Sequence, residues 1–262
     1  MGFTPFDFNE AIAQRREHAL EGLRFGSPVI GMSLEQGLVL ITVRRSQRKV
    51  YEIYDRLIYS AIGNQSDIEA VRLGAVDLAA REGFERSPDD VTAQRLVGFS
   101  LSPALKEVFR DQWRAPSVIR AVFGELGRSQ DQDTFFILNY DGEFSQHQGI
   151  VTLAGTPEAE ARMREWLNTA LADGPSPTLE ASLTAALRAW ALGTAALRER
   201  HDDDMDQPEP ERIAATLREE LTSARIEAGM LDRTTRRDAK FVMLDPDLLE
   251  QVRQAALGAE GD

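Results

Sequence analysis

The chain has 262 residues, no cysteine and a net charge of −13 at pH 7. So acidic a chain argues against a nucleic acid partner, because phosphate binding needs a clustered basic surface. Without cysteine there are no disulfides or thiolate metal sites. The N-terminus lacks a signal-peptide pattern and no apolar run is long enough to span a bilayer, so we expect a cytoplasmic protein with no membrane partner.

The first elements are an arm and a helix. Residues 1–7 contain proline and aromatic residues without any period, which predicts an unanchored segment. Asp7 and Glu10 have the spacing of a capping box, and apolar residues then recur at helical intervals from Phe8 to Leu23. This pattern predicts an amphipathic helix, and the pattern alone leaves open whether the helix packs against its own sheet.

The stretch from Gly26 to Gly63 consists of four short apolar runs separated by polar turns, which predicts antiparallel strands. Its second run, Leu38–Val43, is apolar on both faces and therefore needs cover on both sides. Helical patterns follow. The second of them restarts at the N-cap residue Ser87 and is interrupted at Pro103.

The remaining pattern is strands, two helices, strands and a last helix that opens at Asp245-Pro246. Two sheets packed face to face, with helices outside each sheet, satisfy this order. The sequence therefore predicts an α+β protein with a four-layer αββα sandwich. No linker divides the chain, so we expect one domain at residues 9–262 behind a flexible segment at residues 1–8.

Several motifs resemble the proteasome subunits, and more specifically the bacterial α-type subunit. They are SPVIG (27–31), QGLVLITVRR (36–45), RKVYEIYDR (48–56) and SAIGNQSD (60–67), with weaker matches at ILNYDGEF and VTLAGTPEAE. The resemblance runs roughly from Asn9 to Leu257. It implies the four-layer fold of the N-terminal nucleophile hydrolases and a non-catalytic subunit of a homo-oligomeric, heptameric ring.

The resemblance also implies partners and sites. Such a ring caps β-type protease subunits and docks the C-terminus of a ring-shaped ATPase activator in a pocket with Lys49, Arg48 and Gly63. The first helix packs against the neighbouring subunit. The implied gate to the pore is the N-terminal segment with Phe3, Thr4, Pro5, Phe6, Asp7 and Phe8.

One segment departs from the family pattern. Residues Thr194–Thr222 form an insertion with an acidic loop, His201–Asp206, followed by apolar residues at helical spacing. A histidine beside aspartates suggests a metal site, but consecutive residues do not converge on one point, and charge runs are usually solvated loops. We therefore expect neither a metal nor a cofactor.

An enzyme is the alternative hypothesis. Catalytic β subunits use an N-terminal threonine whose freed amine acts as the base, tuned by a lysine and an acid. The corresponding positions here are Ser27, preceded by Gly26, and Lys49, whereas Val43 occupies the position of the acid. The rival is thus a self-processing hydrolase cut at Gly26-Ser27. The three histidines form no hydrolase motif.

Overall fold

The computed structural model describes residues 5–172, 178–198 and 209–258. Ten strands form two antiparallel sheets. The strands are β1 (Val29–Leu34), β2 (Gly37–Arg44), β3 (Tyr51–Tyr54), β4 (Leu57–Gly63), β5 (Ile119–Glu125), β6 (Thr134–Asn139), β7 (Phe144–His147), β8 (Ile150–Leu153), β9 (Arg225–Asp232) and β10 (Phe241–Met243). The first sheet has the order β10-β9-β2-β1-β8, and the second β3-β4-β5-β6-β7.

Seven α-helices lie in the described part of the chain. They are α1 (Pro5–Leu23), α2 (Gln65–Glu85), α3 (Ser102–Arg110), α4 (Pro157–Ala170), α5 (Leu179–Arg198), α6 (Glu209–Glu220) and α7 (Pro246–Leu257). Helices α4 to α7 cover the first sheet, while α2, α3 and a π-helical stretch at Arg95–Leu101 cover the second. The predicted four-layer αββα sandwich is confirmed.

Strand β2 shows why the layers are needed. Leu38 and Leu40 lie in the core between the two sheets, whereas Val39 and Ile41 lie under the helices, and all four are buried. Alternating side chains of one strand thus fill two different cores. The second face of β2 is covered by helices, as its two-sided apolar pattern predicts.

Helix α1 closes one end of the core between the sheets. Ala19 and Leu23 are fully buried there. Arg15 reaches the C-terminal end of α3, where its guanidinium donates to the carbonyl oxygens of Val108, Phe109 and Arg114 at 2.9, 2.8 and 2.6 Å. Helix α1 is therefore packed against the rest of the same chain.

Two helix starts differ from the sequence prediction. Helix α1 begins at Pro5, before the capping-box pattern at Asp7. Ser87 caps only a 3₁₀ turn, and the longer helical stretch starts several residues later. There the backbone N–H of Ala93 donates to the Glu125 carboxylate at 2.8 Å, so a distant side chain fixes the chain between the two helical segments.

Helix α6 lies within the segment at residues 194–222, whose first residues belong to the end of α5. Its apolar residues Ile213 and Leu217 are buried in the helix layer, so the helix predicted from their spacing is confirmed. The acidic loop His201–Asp206 lies outside the described residues. So do Met1–Thr4, which include Phe3 and Thr4 of the expected gate.

Candidate functional site around Ser27 and Lys49

Ser27 lies in the short segment between α1 and β1. Its hydroxyl donates to the carbonyl oxygen of Val43 on β2 at 2.6 Å. The indole nitrogen of Trp190 on α5 donates to the same hydroxyl at 3.1 Å. The Ser27 side chain is therefore held between the first sheet and its helix layer. Val43 contributes a backbone acceptor where a catalytic subunit would supply an acid.

Lys49 lies in the turn ahead of β3, and the structure brings it to Ser27. Its ammonium donates to the carbonyl oxygen of Ser27 at 2.6 Å, not to the hydroxyl. Burial lowers the pKa of Lys49 to about 7, and the nearby Glu227 carboxylate opposes this shift. A lysine in this state carries a charge that depends on pH in the neutral range.

Glu227 is a site residue that the sequence reading did not identify. It lies on β9, is 3% exposed, and accepts hydrogen bonds from the backbone N–H groups of Lys49 and Val50 at 3.1 and 2.9 Å. The guanidinium of Arg44 lies 2.5 Å from its carboxylate. The only signal in the sequence for this residue was a glutamate inside the alternating apolar pattern at 224–230. Glu227 fixes the turn that positions Lys49.

Ser27 and Lys49 open onto a pocket of about 340 Å³ between the strand ends at one side of the first sheet and α5. Its wall includes Phe25, Val43, Trp190, Thr194, Arg198 and Glu220. The hydroxyl of Thr194 is buried and has no hydrogen-bond partner in the described part of the chain. Arg198 forms an ion pair with Glu220 at the rim. The pocket is thus small, with mixed apolar and polar walls and one enclosed amine.

Arg48 and Gly63 do not line this pocket. The guanidinium of Arg48 lies over the rings of Tyr51 and Phe241, 5.3 and 5.8 Å from their centroids, and faces a neighbouring groove. Gly63 ends β4 with a φ of +127°, and a Cβ there would lie 2.0 Å from the Val118 carbonyl oxygen. Their place in an activator pocket between subunits stays a prediction.

The other expected site residues are more scattered. Pro5, Phe6, Asp7 and Phe8 belong to the backbone of α1, and their role in a gate stays a prediction. Across residues 5–172, 178–198 and 209–258, no three histidine or acidic side chains come together as a metal site. Within the same ranges, no helix combines the length and apolar character needed to cross a membrane.

Comparison with known proteins gives consistent matches. The proteasome subunit alpha of Streptomyces coelicolor is 28% identical over 264 residues, which cover 99% of this chain and 94% of the relative. That of Nocardioides sp. is 27% identical, covering 93% and 86%. That of Streptosporangium roseum is 30% identical over 167 residues, covering 62% and 64%. No family model matches the chain.

Two helix-covered sheets and these nearly full-length matches confirm the resemblance to the proteasome subunit family. Within that family the chain is similar to the bacterial α-type subunit, since all three relatives carry the name proteasome subunit alpha.

Proposed function

We propose that this protein is a non-catalytic α-type subunit of a bacterial 20S-like proteasome. In this proposal it forms a homo-oligomeric, heptameric ring that caps β-type protease subunits in the cytoplasm and controls substrate entry. The observation that carries the proposal is the state of Ser27. Its hydroxyl is bonded to Val43 and Trp190, and its backbone nitrogen follows a helix that is packed into the core.

The packing of α1 supports an architectural role over a catalytic one. A catalytic subunit discards the residues ahead of its nucleophile and gains a free amine. Here Leu23 is fully buried, and Arg15 bonds two carbonyl oxygens in the last turn of α3 and one in the loop that follows. Loss of α1 would therefore expose apolar surface and uncap a helix. A helix that also presents an outer face suits contact with a neighbouring subunit in a ring.

Lys49 is our candidate for docking an activator. A terminal carboxylate needs a cation held in a partly dry slot, and the enclosed ammonium beside Ser27 has that character. In the proposal, a ring-shaped ATPase inserts its C-terminus here, between one subunit and the next. Arg48 and Gly63 contribute from the neighbouring surface, and residues 1–8 form the gate.

A self-processing hydrolase remains the second candidate, because one observation favours it. Lys49 lies against Ser27, and burial lowers the pKa of its amine to about 7, so part of the amine is neutral at that pH. Cleavage between Gly26 and Ser27 would be required to free the base. Lys49 donates to the Ser27 carbonyl oxygen and not to the hydroxyl. This geometry suits a structural contact better than a proton transfer.

One experiment separates the two candidates. Purified protein is examined by native mass spectrometry for ring assembly and by denaturing intact mass for cleavage. We expect a closed ring whose subunits retain α1. Loss of Met1 alone is compatible with this result. A subunit that begins at Ser27 would establish the hydrolase and overturn the architectural proposal. An intact chain that stays monomeric at all concentrations would contradict the ring.

A further inference from the structure

A groove of about 980 Å³ lies beside the first sheet and adjoins the Lys49 pocket, with which it shares Arg44 and Ala224. It is bounded by the segment that joins α6 to β9, the start of β9, the end of β10 and the start of α7. Its apolar floor includes Leu221, Ile226 and Leu249, and four arginines stand among its walls. Three acidic residues, Glu227, Asp245 and Glu250, also line the groove, so it combines an apolar base with walls of mixed charge that carry one more positive than negative group.

The start of β9 presents an unpaired strand edge to this groove. Strand β2 pairs with all eight residues of β9, whereas β10 pairs only with Gly229–Leu231. The last bond on the β10 side runs from the Leu244 N–H to the Ala228 carbonyl oxygen at 3.0 Å. Backbone groups of alternate residues in a strand point to the same side. Ile226 therefore directs its N–H and C=O beyond the end of β10, into the groove.

The charges at the groove are not evenly matched. Arg44 is engaged by Glu227 at 2.5 Å, and Arg253 by Glu250 at 3.2 Å. Arg225 is exposed and has no ion-pair partner in the described part of the chain. It stands at the start of the free strand edge, so one guanidinium is available to a ligand at the position where a new strand would lie.

From the unpaired edge and the uncompensated arginine, we propose that the groove binds an extended acidic peptide segment that adds to β9 beyond the end of β10. Main-chain hydrogen bonds to Ile226 would hold the segment in register. Alternate side chains of a strand point to opposite faces, so apolar residues would reach the floor while carboxylates meet Arg225. This proposal does not depend on ring assembly or on docking at Lys49.

The probe is a fluorescein-labelled peptide of alternating valine and glutamate, acetylated and with an amidated C-terminus, followed by fluorescence anisotropy. The amide removes the terminal carboxylate, so binding at a carboxylate pocket does not contribute. We expect saturable binding of this peptide. The valine–lysine counterpart should bind about tenfold or more weakly than the valine–glutamate peptide. Methylation of alternate backbone nitrogens in one register should abolish binding, because the strand then loses its donors.

Two charge reversals form a matched pair on the protein. Arg225→Glu should weaken the acidic peptide about tenfold or more, while Arg236→Glu, an equal charge change in an exposed turn outside the groove, should leave affinity within about twofold. Circular dichroism checks that both variants fold.

Independently of any variant, hydrogen exchange of the wild-type protein should show the Ile226 amide protected by the peptide. No binding at millimolar peptide, equal binding of the lysine counterpart, or an unprotected Ile226 amide would overturn the proposal.

Discussion

Trp190 donates a hydrogen bond from its indole nitrogen to the Ser27 hydroxyl at 3.1 Å, across 163 positions of sequence. The bond ties the helix layer to the segment that precedes β1. The Ser27 hydroxyl donates its only hydrogen to the Val43 carbonyl oxygen, so its orientation is fixed by contacts within the fold. The residue at the position of a nucleophile therefore contributes to stability, and this role can be measured.

We predict that Trp190→Phe destabilises the fold by about 1–3 kcal/mol, since it removes one buried donor and leaves part of the indole volume empty. The measurement is the free energy of unfolding in urea. Trp113→Phe is the matched control, because Trp113 is 96% exposed and should change stability by less than about 0.5 kcal/mol. Equal effects of the two substitutions would contradict a specific role for the bond to Ser27.

Arg15 provides a test of how α1 is anchored. Arg15→Met keeps most of the stem but removes the donors to two carbonyl oxygens in the last turn of α3 and to one in the following loop. We predict a loss of about 1–3 kcal/mol in unfolding free energy. Arg110→Met is the control at the same helix end, since the Arg110 side chain is exposed and makes no hydrogen bond in the described part of the chain. Wild-type stability of Arg15→Met would show that α1 is not held by this contact.

The pKa of Lys49 predicts a pH dependence of stability. Its folded pKa of about 7 is lower than the ordinary value of 10.5, so the unfolded chain binds more protons between these two values. Stability contributed by this group therefore rises as pH increases from about 7 toward 10.5. Lys49→Met should flatten that rise in melting temperature. The control is Lys106→Met, at an exposed position, which should retain the wild-type slope.

Lys49→Ala should separate assembly from activator docking. The side chain belongs to a turn and adds no apolar volume to the core, so rings should persist. If the ammonium meets a terminal carboxylate, truncation should cost about 2–5 kcal/mol per site, or roughly 30-fold to several thousand-fold in affinity. The loss compounds over several sites of a ring. Because the amine must be protonated, docking should weaken as pH rises above about 7.

Surface plasmon resonance at two salt concentrations measures this effect, with Arg236→Ala as the control for a lost exposed charge. Degradation of folded substrates driven by the ATPase should collapse in Lys49→Ala, while short peptides are still hydrolysed. Equal activator affinities for wild type and Lys49→Ala would remove this lysine from the docking site, without bearing on whether the chain forms a ring.

The gate is tested by deletion of residues 1–7. In a complex with active β-type subunits, we predict that hydrolysis of small peptides rises while ring mass stays constant. The residues that follow, including Arg15, Ala19 and Leu23, keep α1 attached. Deletion of residues 259–262 serves as a control at the other terminus. An unchanged rate of peptide hydrolysis would contradict the gate.

Most of the fold could be predicted from local sequence. Apolar residues on both faces of β2 predict cover on both sides, and Val39 and Leu40 are indeed fully buried in two different cores. The Asp245-Pro246 signal marks the start of α7, where the Asp245 carboxylate accepts from the Asp247 N–H. These features depend on neighbouring residues, so the sequence displays them directly.

The site was less accessible to sequence reading, because its contacts join distant positions. Glu227 meets the backbone of Lys49 across 178 positions, and no local pattern announces that β9 will pair with β2. Ser87 does act as an N-cap residue, but only for a 3₁₀ turn. The longer helical stretch starts later in the chain, after the Ala93 N–H has donated to the Glu125 carboxylate. Tertiary contacts thus determine the position of Lys49 and the start of this helix, which local propensity does not specify.

The pairing of β2 with β9 has a consequence for biosynthesis. β2 ends at Arg44, but its partner on one side is complete only at Asp232, so the ribosome must add nearly the whole chain before that edge is closed. Until then a nascent chain carries an open, apolar strand edge, which invites pairing with other chains. The β2 edge is therefore expected to need chaperone protection until β9 has been synthesised.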